Sequence, residues 1–104
     1  MAQFDVYPNP VEELRASHPY VVWIQSNFLK RPVGAITVAL ARPDTQREPP
    51  TTLNPWLNVA GETLVLETLA ITSFESSDLR RPVANLQADA AAIWDALDFA
   101  LHGY

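Results

Sequence analysis

Tyr20-Val21-Val22-Trp23-Ile24-Gln25 is a run of β-branched and aromatic side chains, stiff at χ1 and suited to a pleated surface buried on at least one face. We read it as the central strand of a sheet and work outward. Upstream, Gln3-Phe4-Asp5-Val6-Tyr7 alternates, with Phe4 and Val6 on one side and Gln3, Asp5 and Tyr7 on the other, before Pro8-Asn9-Pro10 ends it. Residues 11–19 are mixed and bracketed by prolines, a loop with room for one helical turn. Downstream, Ser26 to Gly34 has turn residues at both ends yet holds Phe28 and Leu29 in the middle. Either these two fold back onto the core or they belong to a recognition surface. Ala35-Ile36-Thr37-Val38-Ala39-Leu40 gives a third strand, and Arg42 to Thr52 is a proline-rich, exposed loop.

Trp56-Leu57-Asn58-Val59, Ala60-Gly61 and Glu62-Thr63-Leu64-Val65-Leu66 have the spacing of a tight antiparallel hairpin in which Gly61 takes positive φ. A further strand is expected within Glu67 to Phe74, and Glu75 to Pro82 breaks the pattern. From Leu86 the period changes. Leu86, Ala90, Ile93, Trp94, Leu97 and Leu101 fall on one helical face, with Asp89, Asp95 and Asp98 away from it. Asn85 suits the N-cap and Gly103 the left-handed residue that closes the helix. Trp23 and Trp94 suit core positions, and Trp56 is expected to pack. The expectation is a single domain over residues 1–104, mainly β with a C-terminal α-helix (α+β).

Composition narrows the function. The chain is 48% hydrophobic with 18% charged residues, enough apolar material for a packed core. Ten aromatic residues are many for 104 positions to hide, so a second copy would usefully cover some of them. A net charge of −5 gives no electrostatic footprint for nucleic acid or an anionic membrane. The absence of cysteine fits a reducing compartment, and neither a leader nor a membrane span is indicated, so the cytoplasm is expected.

Catalytic sets are missing. His18 and His102 lack metal-ligand spacing, three glycines form no phosphate cradle, and there is neither a nucleophile elbow nor a cysteine. Glu12-Glu13 and Asp95 with Asp98 read as solvated charges rather than an acid–base pair. No cofactor, metal or enzymatic activity is expected. The chain instead ends on His102-Gly103-Tyr104, an aromatic ring beside the terminal carboxylate where a frayed tail would be small and polar. Such an end is either pinned or bound by a partner.

Five pieces of the chain, in order, resemble the CcdB toxins of bacterial toxin–antitoxin modules. They are Gln3-Phe4-Asp5-Val6-Tyr7, Gln25-Ser26-Asn27-Phe28-Leu29 with Pro32 in register, Leu53-Asn54-Pro55, Val59-Ala60-Gly61-Glu62, and Ile93-Trp94-Asp95-Ala96-Leu97-Asp98 followed by His102-Gly103-Tyr104. The best-known members end in Trp-Gly-Ile, so His102 and Tyr104 stand in place of a tryptophan and an isoleucine. The resemblance implies a twisted antiparallel sheet of SH3-like barrel character with a C-terminal helix, assembled as a homodimer. It implies a toxin, of the kind that serves plasmid maintenance, which inhibits DNA gyrase by binding its A subunit and is neutralised by a CcdA-like antitoxin. By position, the gyrase-binding residues would be Asp98, His102, Gly103 and Tyr104, supported by Gln3, Phe4, Tyr7, Ser26 and Phe28. Two rivals share the fold. One is a ribonuclease toxin on the related MazF-like barrel, for which the clustered cations are Lys30, Arg31, Arg80 and Arg81; the other is a non-toxic antitoxin-binding co-regulator.

Overall fold

The computed structural model describes residues 2–27, 34–43 and 49–103. The β-branched run becomes β2 (Tyr20–Trp23), hydrogen-bonded on one side to β1 (Asp5–Pro8) and on the other to β3 (Gly34–Ala41). β4 (Trp56–Val59), β5 (Glu62–Glu75) and the two-residue β6 (Ala84–Asn85) complete a six-stranded sheet in the order β4-β5-β3-β2-β1-β6. Every pairing is antiparallel, and the sheet curls into a nearly closed, barrel-like form. A single α-helix, α1 (Ala90–His102), follows. The mainly-β reading with a C-terminal helix therefore holds. The helical turn expected in the loop after β1 is a 3-10 turn at Glu12–Leu14.

Alternation sends each strand's side chains to two faces, and both are buried in the middle of the sheet. On one face Val6, Val22, Val38, Leu40, Leu64 and Leu66 pack with Leu86, Ile93, Ala96 and Leu97 beneath α1. On the other, Tyr7, Val21, Trp23 and Ala35 pack against Leu79. Burying aliphatic side chains of this size contributes about 1.5–3 kcal/mol each, which is what holds a short helix on a curved sheet. Trp23 keeps a buried indole N–H with no hydrogen-bond acceptor among the described residues.

Two features differ from the sequence expectation. The strand sought within Glu67 to Phe74 is not separate: β5 runs unbroken from Glu62 to Glu75. It carries a bulge in which the adjacent Val38 and Ala39 of β3 face Ile71 and Glu67, so Thr68, Leu69 and Ala70 have no β3 partner. Extra residues on one strand bend it and increase its twist. The bend is pinned where the buried Thr68 Oγ1 donates to the Leu53 carbonyl (2.5 Å) and the Thr68 N–H donates to Asn54 Oδ1 (3.4 Å). The helix also starts later than the period suggests. Leu86 is buried, but residues 87–89 form a 3-10 turn and Asp89, without a side-chain bond, is the α1 N-cap. Asn85 lies one residue before the Leu86 N-cap of that turn, where its Oδ1 accepts the Gln87 N–H at 2.8 Å.

At the β4–β5 turn both Ala60 (φ 52°) and Gly61 (φ 85°) are left-handed, the primed geometry that matches strand twist. Asn58 Oδ1 accepts the Gly61 N–H there at 3.1 Å. Trp56, expected to pack, is 38% exposed. Among the described residues no helix is long and apolar enough to cross a membrane.

Candidate functional site

The last element is the informative one because it is apolar on both sides. Ile93, Ala96 and Leu97 are buried against the sheet, as the 3.6-residue period requires. Yet Trp94, Phe99 and Leu101 are 41%, 44% and 69% exposed. Leu101, placed by its spacing on the core stripe, is thus a surface residue, and Trp94 is only half covered. Trp94, Asp98, Leu101 and His102 stand at i, i+4, i+7 and i+8, so they line one outward stripe of the helix. Asp98 and His102 are exposed within it. At the end Gly103 adopts φ 82°, and its N–H donates to the Phe99 carbonyl at 3.0 Å. That left-handed residue closes the helix and turns the chain off its axis, a conformation costly for any residue with a Cβ.

The amino-terminal part of the expected site is arranged behind this helix. Phe4 is 1% exposed and has φ 71°, a rare conformation for a bulky residue. Its N–H donates to the Trp23 carbonyl (2.6 Å), its carbonyl accepts the Leu86 N–H (2.9 Å), and its ring meets Trp94 edge-on at 5.3 Å and 69°. The strained backbone is over-determined by these contacts, and the contact with Trp94 makes Phe4 a support for α1 rather than a surface. Gln3 is half-buried: its N–H donates to Asn27 Oδ1 (2.7 Å), its Nε2 donates to the Ile24 carbonyl (3.0 Å), and its carbonyl accepts Asn85 Nδ2 (3.1 Å). It ties the segment after β2, where half-buried Ser26 lies, to β6.

Tyr7 is buried on the opposite face of the sheet, with its hydroxyl donating to Asp5 Oδ2 at 3.4 Å. Burial, then the Asp5 charge, then that hydrogen bond push its phenol from 10.0 to about 12. Its side chain is therefore a wall of the core. Phe28 and Tyr104 lie outside the described residues, as do Lys30 and Arg31.

Sequence reasoning missed one polar relay. Ser17 Oγ and His18 Nδ1 are 2.8 Å apart, and His18 Nε2 is 2.6 Å from Glu67 Oε2. The loop after β1 is thereby fastened to the β5 bulge. Ser17 Oγ also donates to the Leu14 carbonyl, and the Ser17 and His18 N–H groups both donate to that carbonyl too, so neither of these two N–H groups is left for an oxyanion. Among the described residues no cluster of three or more metal-ligating side chains forms.

The family model described as CcdB protein matches residues 3–103. No curated protein matches the chain. The match spans the curled sheet, the bulged β5 and the twice-apolar helix. On that span, this chain belongs to the CcdB family of toxins.

Proposed function

We propose that this toxin acts by contact rather than catalysis: it grips the A subunit of DNA gyrase with the outward stripe and end of α1, and a CcdA-like antitoxin relieves the block. The observation that carries this reading is the uncovered apolar surface of α1, where Trp94, Phe99 and Leu101 frame Asp98 and His102 on a helix whose other face is already fully used. Exposed apolar side chains grouped on one rigid element are the signature of an interaction surface. His102 and Gly103 extend that surface, Gln3 and Phe4 brace it from behind, and Tyr104, Phe28, Ser26 and Tyr7 are assigned to the same function by their positions in the sequence. Residues 1–104 act as one domain, in the cytoplasm where gyrase works.

The working unit in this reading is a homodimer. Ile36 and Ile71 are exposed on the same face as Val38, and Leu69 protrudes at the β5 bulge. A second copy covering them would give a symmetric toxin that carries two α1 surfaces, suited to a symmetric target.

The test is direct. Purified protein is titrated into a gyrase supercoiling reaction and passed over immobilised A subunit, alongside protein lacking residues 102–104. Full-length protein should bind and inhibit, and the shortened one should lose most of both. Equal binding by the two, or RNA cleavage by the purified protein without gyrase, would replace this reading.

A further inference from the structure

Away from α1, one cluster holds a nucleophile, a base and a carboxylate in line. Ser17 Oγ lies 2.8 Å from His18 Nδ1, and His18 Nε2 lies 2.6 Å from Glu67 Oε2. With the ring neutral, the Glu67 carboxylate takes the Nε2–H, which leaves the Nδ1 lone pair facing the serine hydroxyl. An activated serine requires that order: hydroxyl, ring nitrogen, and a third group that fixes the ring's orientation and tautomer. Ser17 is exposed, whereas His18 and Glu67 are half-buried. The nucleophile is open to a reagent while its two supports are sheltered.

The backbone on both sides is held. The Ser17 carbonyl accepts the Arg42 N–H (2.9 Å), and the His18 carbonyl accepts Nδ2 of the buried Asn9 (3.0 Å). Just upstream, Arg42 Nη1 donates to the Arg15 and Ala16 carbonyls at 3.1 and 2.8 Å. Glu67 stands on β5 opposite Ala39, at the edge of the bulge. Holding reacting groups in place beforehand is what makes a weak nucleophile effective. The hydroxyl proton has a second acceptor in the Leu14 carbonyl, but at 3.2 Å that is the more distant of the two. The substrate class follows from the oxyanion side. The Ser17 and His18 N–H groups already donate to the Leu14 carbonyl, and a donor of that kind contributes about a hundred- to a thousandfold in rate. Without them an amide or alkyl ester is out of reach, whereas an acyl group with a good leaving group is not.

We propose that Ser17 is a covalent modification site that accepts the acyl group of an activated donor, a thioester or an ester of an acidic alcohol. Oγ attacks the acyl carbon as its proton passes to His18 Nδ1. The Oγ–C bond forms, the bond from carbon to the leaving sulfur or oxygen breaks, and the leaving atom departs with that electron pair and collects the proton. The products are an O-acylserine and a free thiol or alcohol. Glu67 touches none of the reacting atoms and is a positioning residue. None of the three lies on α1, so the inference is independent of the gyrase reading.

To test it, purified protein is incubated with p-nitrophenyl acetate, and acetylation at each serine is followed by peptide mass spectrometry. Ser77, exposed in the turn Ser76–Asp78, is the internal reference. Ser17 should be acetylated about a hundredfold faster than Ser77, the lower end of what a positioned base supplies, and the preference should vanish in urea. His18→Gln keeps a hydrogen-bonding side chain but no base, and should bring Ser17 down to the Ser77 rate. Glu67→Gln still accepts the Nε2–H, so it should melt near the parental temperature and leave Ser77 unchanged while Ser17 slows several-fold, a pattern that a merely structural bond would not give. Protein lacking residues 102–104 should keep the Ser17 preference, so a failure of the gyrase reading leaves this result standing. Ser17 reacting no faster than Ser77 in the folded protein, or at the parental rate in folded His18→Gln, would overturn the inference and leave the cluster a clasp between loop and bulge.

Discussion

Leu97 and Leu101 are one helical turn apart, both leucines, and should separate stability from docking when each is cut to alanine. Leu97 is 5% exposed within the core cluster, so Leu97→Ala loses its packing and leaves a cavity, at a cost of about 2–5 kcal/mol. At several degrees per kcal/mol for a chain of this size, the melting temperature should fall by roughly 10 °C or more. Leu101 is 69% exposed, so Leu101→Ala should change stability by less than about 0.5 kcal/mol, and the helix propensity of alanine works slightly in its favour. Binding should show the reverse. Fully burying a leucine is worth about 1.5–3 kcal/mol, and docking can cover only the fraction still exposed, so with 69% remaining the loss is about 1–2 kcal/mol, five- to thirtyfold in affinity. Both variants are to be melted at one protein concentration, since assembly shifts the midpoint, and then measured against immobilised gyrase A subunit. If Leu101→Ala melted as low as Leu97→Ala, the outward stripe would be covered within the toxin. If it kept both parental stability and parental affinity, the stripe would not be the contact.

Three further expectations follow from local geometry. At the β4–β5 turn, Ala60→Asn should stabilise by up to about 1 kcal/mol, because asparagine tolerates the left-handed φ that alanine adopts at a cost, while Gly61→Ala should destabilise by about 1 kcal/mol through backbone strain alone, with nothing within 4 Å of the added Cβ; urea denaturation measures both. His18→Ala removes the bond to Glu67 and should cost about 1 kcal/mol, with faster hydrogen exchange at the Arg42 amide, which donates to the neighbouring Ser17 carbonyl. Because the folded Tyr7 phenol titrates near 12 and the unfolded one near 10, the folded chain retains a proton that the unfolded chain has released between those values. Stability should therefore fall as pH rises from 10 toward 12, and the urea midpoint of Tyr7→Phe should fall less over that window.

What could be read from the sequence was what repeats. Tyr20–Gln25, Ala35–Leu40 and the Trp56–Leu66 hairpin announce themselves through β-branched runs and a two-residue turn, and each is present at nearly the expected bounds. β6 has two residues and therefore no period to detect; its pairing with Asp5 and Val6 is tertiary in origin. The long β5 was hidden by its own bulge, since Thr68, Leu69 and Ala70 interrupt the alternation where the strand bends. The Ser17-His18-Glu67 relay was equally hidden. His18 and Glu67 are 49 positions apart, and only folding makes them neighbours.

The helix gives the sharper case, because there the period was right and the face was partly wrong. Spacing places Leu97 and Leu101 on one stripe, but the sheet buries Ile93, Ala96 and Leu97 and leaves Leu101 outside. A period identifies an apolar arc without dividing it between neighbours. Along α1 the arc runs from Ala96 through Ile93 and Leu97 to Trp94 and Leu101, with Phe99 on the far border, and it is wider than one curved sheet can cover. The small Ala96 is buried against the sheet while the larger Leu101 and Trp94 lie toward solvent. A helix facing only its own core would carry polar residues at those two positions. The apolar arc is thus wider than the covered one, and its uncovered part, Trp94 and Leu101, lies along the helix that Gly103 closes.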